Sequence, residues 1–209
     1  MINKLVAVCV FSILFGFQAV TVQAEDSVES RIEHLLEGSR DIEGQFRQVT
    51  YDEKGHELQV SKGVFLLAKP NQFVWDSISP FAQRIVSDGA TITVWDVDLE
   101  QATIKPLATS ISNSPAALLG QPAEEVLPSY SVTTMGPEKF RLEPKKEQDL
   151  FQTLTLSFKN EVITSMSIVD ALGQTTVMEF QNVEQHEGVA KENFVLDLPD
   201  HVDVIVEGQ

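Results

Sequence analysis

This 209-residue sequence predicts a mainly β, antiparallel fold with a few short α-helices, and three features predict it. Between residues 63 and 104, short runs of β-branched and aromatic residues are cut by tight-turn residues. Such runs, bounded by Pro-Asn, Asp-Gly and Asp-rich punctuation, form a meander of antiparallel strands. Several of the runs, Val64 to Ala68 among them, are apolar at consecutive positions. A sheet with one face in water would alternate polar and apolar residues, so apolar material is expected on both faces. Helical patterning is confined to a stretch near the N-terminus and to residues 106–129.

The elements follow in order. Asp26 or Ser27 can cap a helix that puts Val28, Ile32, Leu35 and Leu36 on one face, with Gly38 as its stop. Strands are expected around 42–51 and 58–68. Phe73-Val74-Trp75-Asp76 follows the Lys69-Pro70-Asn71 turn. Ile85-Val86-Ser87-Asp88-Gly89 then turns into Thr91-Ile92-Thr93-Val94-Trp95-Asp96, and Asp98-Leu99-Glu100-Gln101 leads to Ala102-Thr103-Ile104. Ser114-Pro115 places an N-cap before a proline at the first helical position, with Ala116 to Leu119 continuing that helix. Pro122 and Pro128 bracket a second helical piece. Further strands are expected near 130–134, 139–143, 151–158, 162–169, 174–183 and 194–198. Lys159-Asn160-Glu161 and Asp170-Ala171-Leu172-Gly173 serve as hairpin connections. No repeat or linker divides residues 25–209, which are expected to form one domain.

The first 24 residues have a different purpose. Met1-Ile2-Asn3-Lys4 is a short basic start, Leu5 to Val20 is an apolar stretch, and Val22-Gln23-Ala24 offers small residues before Glu25. That is the pattern of a cleaved secretory signal, too short for a stable membrane span. The single cysteine, Cys9, lies inside it, so the mature chain is expected to contain no disulfide. A lipid-anchored chain would need cysteine at the first mature position, where Glu25 stands. The formal charge is −16, and cleavage removes one lysine and none of the 31 acids. Nucleic acid and anionic lipid surfaces are repelled by such a chain.

Catalytic patterns are missing. His34, His56, His186 and His201 have no paired ligand spacing. Asp96, Asp98 and Glu100 alternate as at the start of a calcium loop, but Gln101 stands where that loop needs glycine. There is no Gly-x-Ser-x-Gly elbow and no phosphate-cradling glycine loop. No cofactor, no metal and no enzymatic activity are expected.

Taken together, Gly63, Lys69-Pro70-Asn71, Phe73-Val74-Trp75, Ile85 to Gly89, Trp95-Asp96 and Asp98 to Thr103 resemble the periplasmic lipoprotein carrier family LolA. So do Ser114 to Leu119, Asp170 to Gln174, and Phe194, Leu196, Pro199 and Val202 to Ile205 near the C-terminus. The resemblance runs in order from about Gln45 to Ile205. It implies an incomplete antiparallel barrel with a helical lid over an apolar cavity. It further implies a soluble periplasmic monomer that takes acylated lipoproteins from an inner-membrane transporter, LolCDE, and delivers them to an outer-membrane receptor, LolB. Under that reading the cavity is lined by Phe46, Phe65, Leu67, Phe73, Trp75, Trp95, Met166, Ile168, Met178 and Phe180, and the lid helix carries Ala116, Leu118 and Leu119. The family's arginine before the turn proline, which holds the lid through backbone carbonyls, is Lys69 here, and His201 stands where the family has glycine. A lipid- or lipoprotein-sensing regulator of the same fold, or a specialised lipid shuttle, is the alternative.

Overall fold

A computed structural model describes residues 27–107, 119–146 and 151–208. Helix α1 (Val28–Gly38) precedes strands β1 (Asp41–Tyr51), β2 (Glu57–Ala68), β3 (Gln72–Ser79), β4 (Gln83–Asp88), β5 (Thr91–Asp96) and β6 (Gln101–Pro106). A short helix α2 (Ala123–Val126) and a 3-10 turn (Leu127–Ser129) lead to β7 (Tyr130–Gly136), β8 (Lys139–Pro144), β9 (Phe151–Lys159), β10 (Val162–Asp170) and β11 (Thr175–Gln185). A second 3-10 turn (Lys191–Phe194) and β12 (Asp203–Val206) close the chain. The signal segment and the sequence-expected helix at Ser114 to Leu118 lie outside the described residues.

Local chemistry sets the boundaries. Ser27 caps α1 by accepting from the Ser30 N–H at 3.1 Å. Asp88 accepts from the N–H groups of Ala90 and Thr91, both at 2.8 Å, and Gly89 takes φ 97° in that turn. Asp170 folds the β10–β11 turn the same way, accepting from Leu172 and Gln174. Asn160 and Glu161 both have positive φ, which a two-residue hairpin turn matched to strand twist demands.

The strands form one twelve-stranded sheet in the order β12-β6-β5-β4-β3-β2-β1-β11-β10-β9-β8-β7. The edge strands β12 and β7 do not pair with each other, so the barrel is open. All neighbours are antiparallel except β12, which runs parallel to β6. Register assigns the faces. Phe46 stands opposite Gly63 and Phe180, Phe73 opposite Leu67, and Trp75 opposite Phe65 and Ile85. That inner face packs against the buried residues of α1 and forms the main core.

The outer face has its own cover. Phe194 is 2% exposed and forms a second, smaller core with Ala68, Val74 and Val86, joined by Leu66, Val189 and Leu196. This explains why β2 is apolar at consecutive positions: Phe65 and Leu67 face the main core, and Leu66 and Ala68 face the C-terminal segment. The expected strand at 194–198 is corrected by the same packing. Phe194 closes a 3-10 turn, and the residues after it cross the sheet face without entering a ladder. The closing strand is β12 instead.

Candidate functional site

The inner face carries an aromatic wall. Phe46 and Trp75 stack with ring centroids 4.2 Å apart and planes 25° from parallel. Phe65 lies 5.8 Å from Trp75 and meets Phe180 edge-on at 5.3 Å. Leu67, Phe73, Met166 and Met178 are fully buried around them, and Ile168 is partly buried against the same core. The structure therefore gathers nine of the ten sequence-predicted wall residues into one cluster. Trp95 is not brought to it. It pairs with Arg84, which pairs with Asp76 opposite Val64, and that row lies on the outer face. Ile92 and Val94 alternate inward along β5, so Trp95 between them and the turn must point outward.

Sequence reasoning missed the other half of the wall. Phe140, Leu142, Leu154, Leu156, Phe158 and Ile163 from β8, β9 and β10 complete the cluster. The alternation of Leu154, Leu156 and Phe158 was a usable signal for it.

The helical segments plug this wall. Ile32, Leu35 and Leu36 of α1, at helical spacing, bury their side chains in the cluster together with Leu119, Ala123 and Leu127. Ala116 and Leu118 lie outside the described residues. The plug is tied to one end of the sheet by hydrogen bonds. The Lys69 Nζ donates to the Leu36 carbonyl at 2.7 Å, and the Asn71 N–H donates to the Gly120 carbonyl at 2.8 Å. Within the plug, Glu37 Oε1 of α1 accepts from the Ala123 N–H of α2 at 3.2 Å, and from the sheet Gln185 Nε2 donates to the Gly38 carbonyl at 2.6 Å.

Lys69 is the most perturbed cation of the site. Its side chain is only 2% exposed and its Nζ stands 3.8 Å from Glu37 Oε1. Burial pushes its ammonium down to about 8, and the Arg40 guanidinium adds to that, while Glu37 and Asp41 oppose it without prevailing. The tie to α1 is thus made by an amine poised near neutrality.

At the opposite end of the sheet, around the β3–β4 and β5–β6 turns, a cavity of about 670 Å³ opens beside the aromatic wall. Trp75 and Ile85 form its apolar base, Gln48, Ser61, Ser77 and Gln83 with the carboxylates of Asp96 and Asp98 its walls, and Phe81 and Leu99 its rim. The rim side chains are exposed, Phe81 at 68% and Leu99 at 72%. Among the described residues no group of three His, Cys, Asp or Glu side chains is placed to hold a metal ion.

Residues 37–197 match the family model for the outer membrane lipoprotein carrier protein LolA. This chain belongs to the LolA family. It is 38% identical over 197 residues to an outer-membrane lipoprotein carrier protein of Pseudomonas fluorescens (strain Pf0-1), covering 93% of this chain and 96% of that one. The carrier protein of Pseudomonas entomophila (strain L48) is 36% identical over 192 residues, covering 90% and 93%. An uncharacterised conserved protein from Thermus thermophilus, at 9% identity, superposes with a TM-score of 0.54 over 84% of this chain and 96% of that one. That likeness shows the fold.

For this LolA-family chain the two tryptophans are expected to report differently on the core. Trp75 stacks in the wall and Trp95 lies on the other face. A Trp95→Phe variant should keep the fluorescence shift that an acylated peptide causes, and a Trp75→Phe variant should lose it. Equal shifts from both variants would mean that Trp75 does not sense the acyl group from its place in the aromatic wall.

Proposed function

We propose that this chain is a periplasmic carrier that shields the acyl chains of lipoproteins between the inner and the outer membrane. The observation that carries the reading is the plug: an apolar helix face seated in an aromatic wall and held by a few hydrogen bonds at one end. Burial of one lipid methylene is worth about 0.8 kcal/mol, so a sixteen-carbon chain left in water costs roughly 12 kcal/mol. Acyl chains that displace Ile32, Leu35 and Leu36 from the wall exchange one apolar contact for another, so loading and unloading need no large net driving force. In this reading Lys69 is the latch that favours the closed lid.

The partners of the reading are the inner-membrane transporter LolCDE as donor and the outer-membrane receptor LolB as acceptor. The signal at residues 1–24 is removed, and the mature chain begins at Glu25. No bond-breaking chemistry is required of any residue. Among the described residues no helix is long and apolar enough to cross a membrane. The test is native mass spectrometry of the protein purified from its own periplasm. Bound acylated lipoprotein is the expected result. Free phospholipid alone would replace the carrier of lipoproteins with a lipid shuttle, and a chain that binds neither overturns both.

A further inference from the structure

The inner face changes character along its rows. The row that begins with Gln48 continues through Met178, Met166, Leu156 and Phe140 on one side, all apolar and buried. On its other side Gln48 faces Ser61. The next row runs from Phe180 and Phe46 through Gly63 to Ser77, Gln83 and Asp96. Moving across β1 and β2, the wall thus passes from aromatic and thioether groups to amides and hydroxyls. This boundary is built on strands, and the cavity of about 670 Å³ sits on it.

The polar side of the boundary carries two carboxylates, Asp96 and Asp98, and no cation among the described residues, and its neutral groups are only partly satisfied. Gln83 spends one N–H on Asp96 Oδ1 at 2.6 Å. The side chains of Gln48 and Ser77, half-buried, have no hydrogen-bond partner within the protein among the described residues. No lysine or arginine lines the cavity among the described residues; Arg84 belongs to the outer face, in register with Trp95. A phosphate group needs cations or clustered N–H donors, and here it would meet the Asp96 carboxylate. Ester and amide groups need what the cavity offers, neutral donors and acceptors beside an apolar base.

We propose that this cavity is the site for the ester- and amide-bearing junction of an acylated cargo, where the acyl chains meet the first peptide bonds, and that it discriminates against phosphate headgroups. The proposal rests on the carrier reading and adds to it a polar site with a chemical preference. Gln48 is the central residue, because its free amide stands where the apolar row begins.

The experiment compares a synthetic diacylglyceryl-cysteine peptide with phosphatidic acid of the same chain length, by calorimetric titration of the purified mature protein. Wild type should bind the peptide at least about tenfold more tightly. Gln48→Met, close in shape but without the amide, should weaken peptide binding about five- to tenfold, the scale of one or two lost hydrogen bonds, and leave phosphatidic acid unchanged. Asp96→Asn should strengthen phosphatidic acid alone. Equal wild-type affinity for the two ligands, or equal loss of both in Gln48→Met, overturns the proposal while the carrier reading stands. Binding of neither ligand by wild type overturns the carrier reading itself. The wild-type comparison and Asp96→Asn decide the matter even where Gln48→Met does not fold.

Discussion

Gly63→Ala is expected to destabilise the protein by at least about 3 kcal/mol, the upper range for overpacking a rigid core. A β-carbon at this position would run into the Asp76 carbonyl oxygen and meet two carbons of the Phe46 ring at 2.7 Å. Neither obstacle is a flexible side-chain end. The carbonyl belongs to the β2–β3 ladder at its register shift, and the ring is clamped against Trp75. Something must give, and each remedy breaks the wall: Phe46 leaves its stack or β3 slips from β2. For a chain of this size about 1 kcal/mol moves the thermal midpoint by about 2–4 °C, so a fall of roughly 6–12 °C is expected. Gly136→Ala is the control, since a β-carbon there meets nothing within 4 Å. Equal midpoints for the two variants would mean that Gly63 does not seat the Phe46–Trp75 stack. The variant should also lose affinity for acylated peptide by more than its stability loss explains, because the wall itself is deformed.

Gly63 shows which parts of this fold a sequence discloses. Its place inside an apolar run marks a strand with something pressed against it, but the ring that presses comes from another strand and is not visible locally. The same division holds elsewhere. Ser27, Asp88 and Asp170 act on neighbours a few residues away, so cap and turns are readable in order. Trp95 needed only strict alternation with Ile92 and Val94 to be placed outside. The C-terminal segment was harder, because Phe194 finds its partners in Val74 and Val86, more than a hundred residues back. Its alternating apolar residues imitate a strand, and only the apolar outer face of β2 to β4, which Phe194 covers, decides otherwise. The ties of the plug are the least legible part. Nothing local connects Lys69 to the Leu36 carbonyl, Asn71 to Gly120 or Glu37 to Ala123; they meet because α1 returns to the end of the sheet where β2 turns into β3.

Raising the pH from 7 to 9.5 is expected to strengthen the folded form by about 2 kcal/mol through Lys69 alone. In the unfolded chain this amine titrates near its ordinary 10.5, whereas burial in the folded form holds it at about 8. Below pH 8 both forms carry the proton and the difference between them is constant, with the folded form bearing the cost of a buried charge. Between about pH 8 and 10.5 the unfolded form keeps a proton that the folded form has released, so each step upward in pH favours folding. The neutral amine still donates to the Leu36 carbonyl, so the tie survives the loss of charge. Lys69→Arg removes the rise, because a guanidinium stays charged throughout this range. Lys69→Met removes both the charge and the donor, leaving the Leu36 carbonyl with only the Ser39 N–H at 3.1 Å. Wild type and Lys69→Met should therefore lie close together at pH 7 and separate at pH 9.5, with wild type the more stable. The measurement is the thermal midpoint of each variant between pH 7 and 9.5, read as the difference from Lys69→Arg so that other titrating groups cancel. A rise of about 4–8 °C in wild type relative to Lys69→Arg is the expected result. A flat difference would show that the Lys69 ammonium keeps its ordinary titration in the folded chain and is not desolvated by its burial against α1.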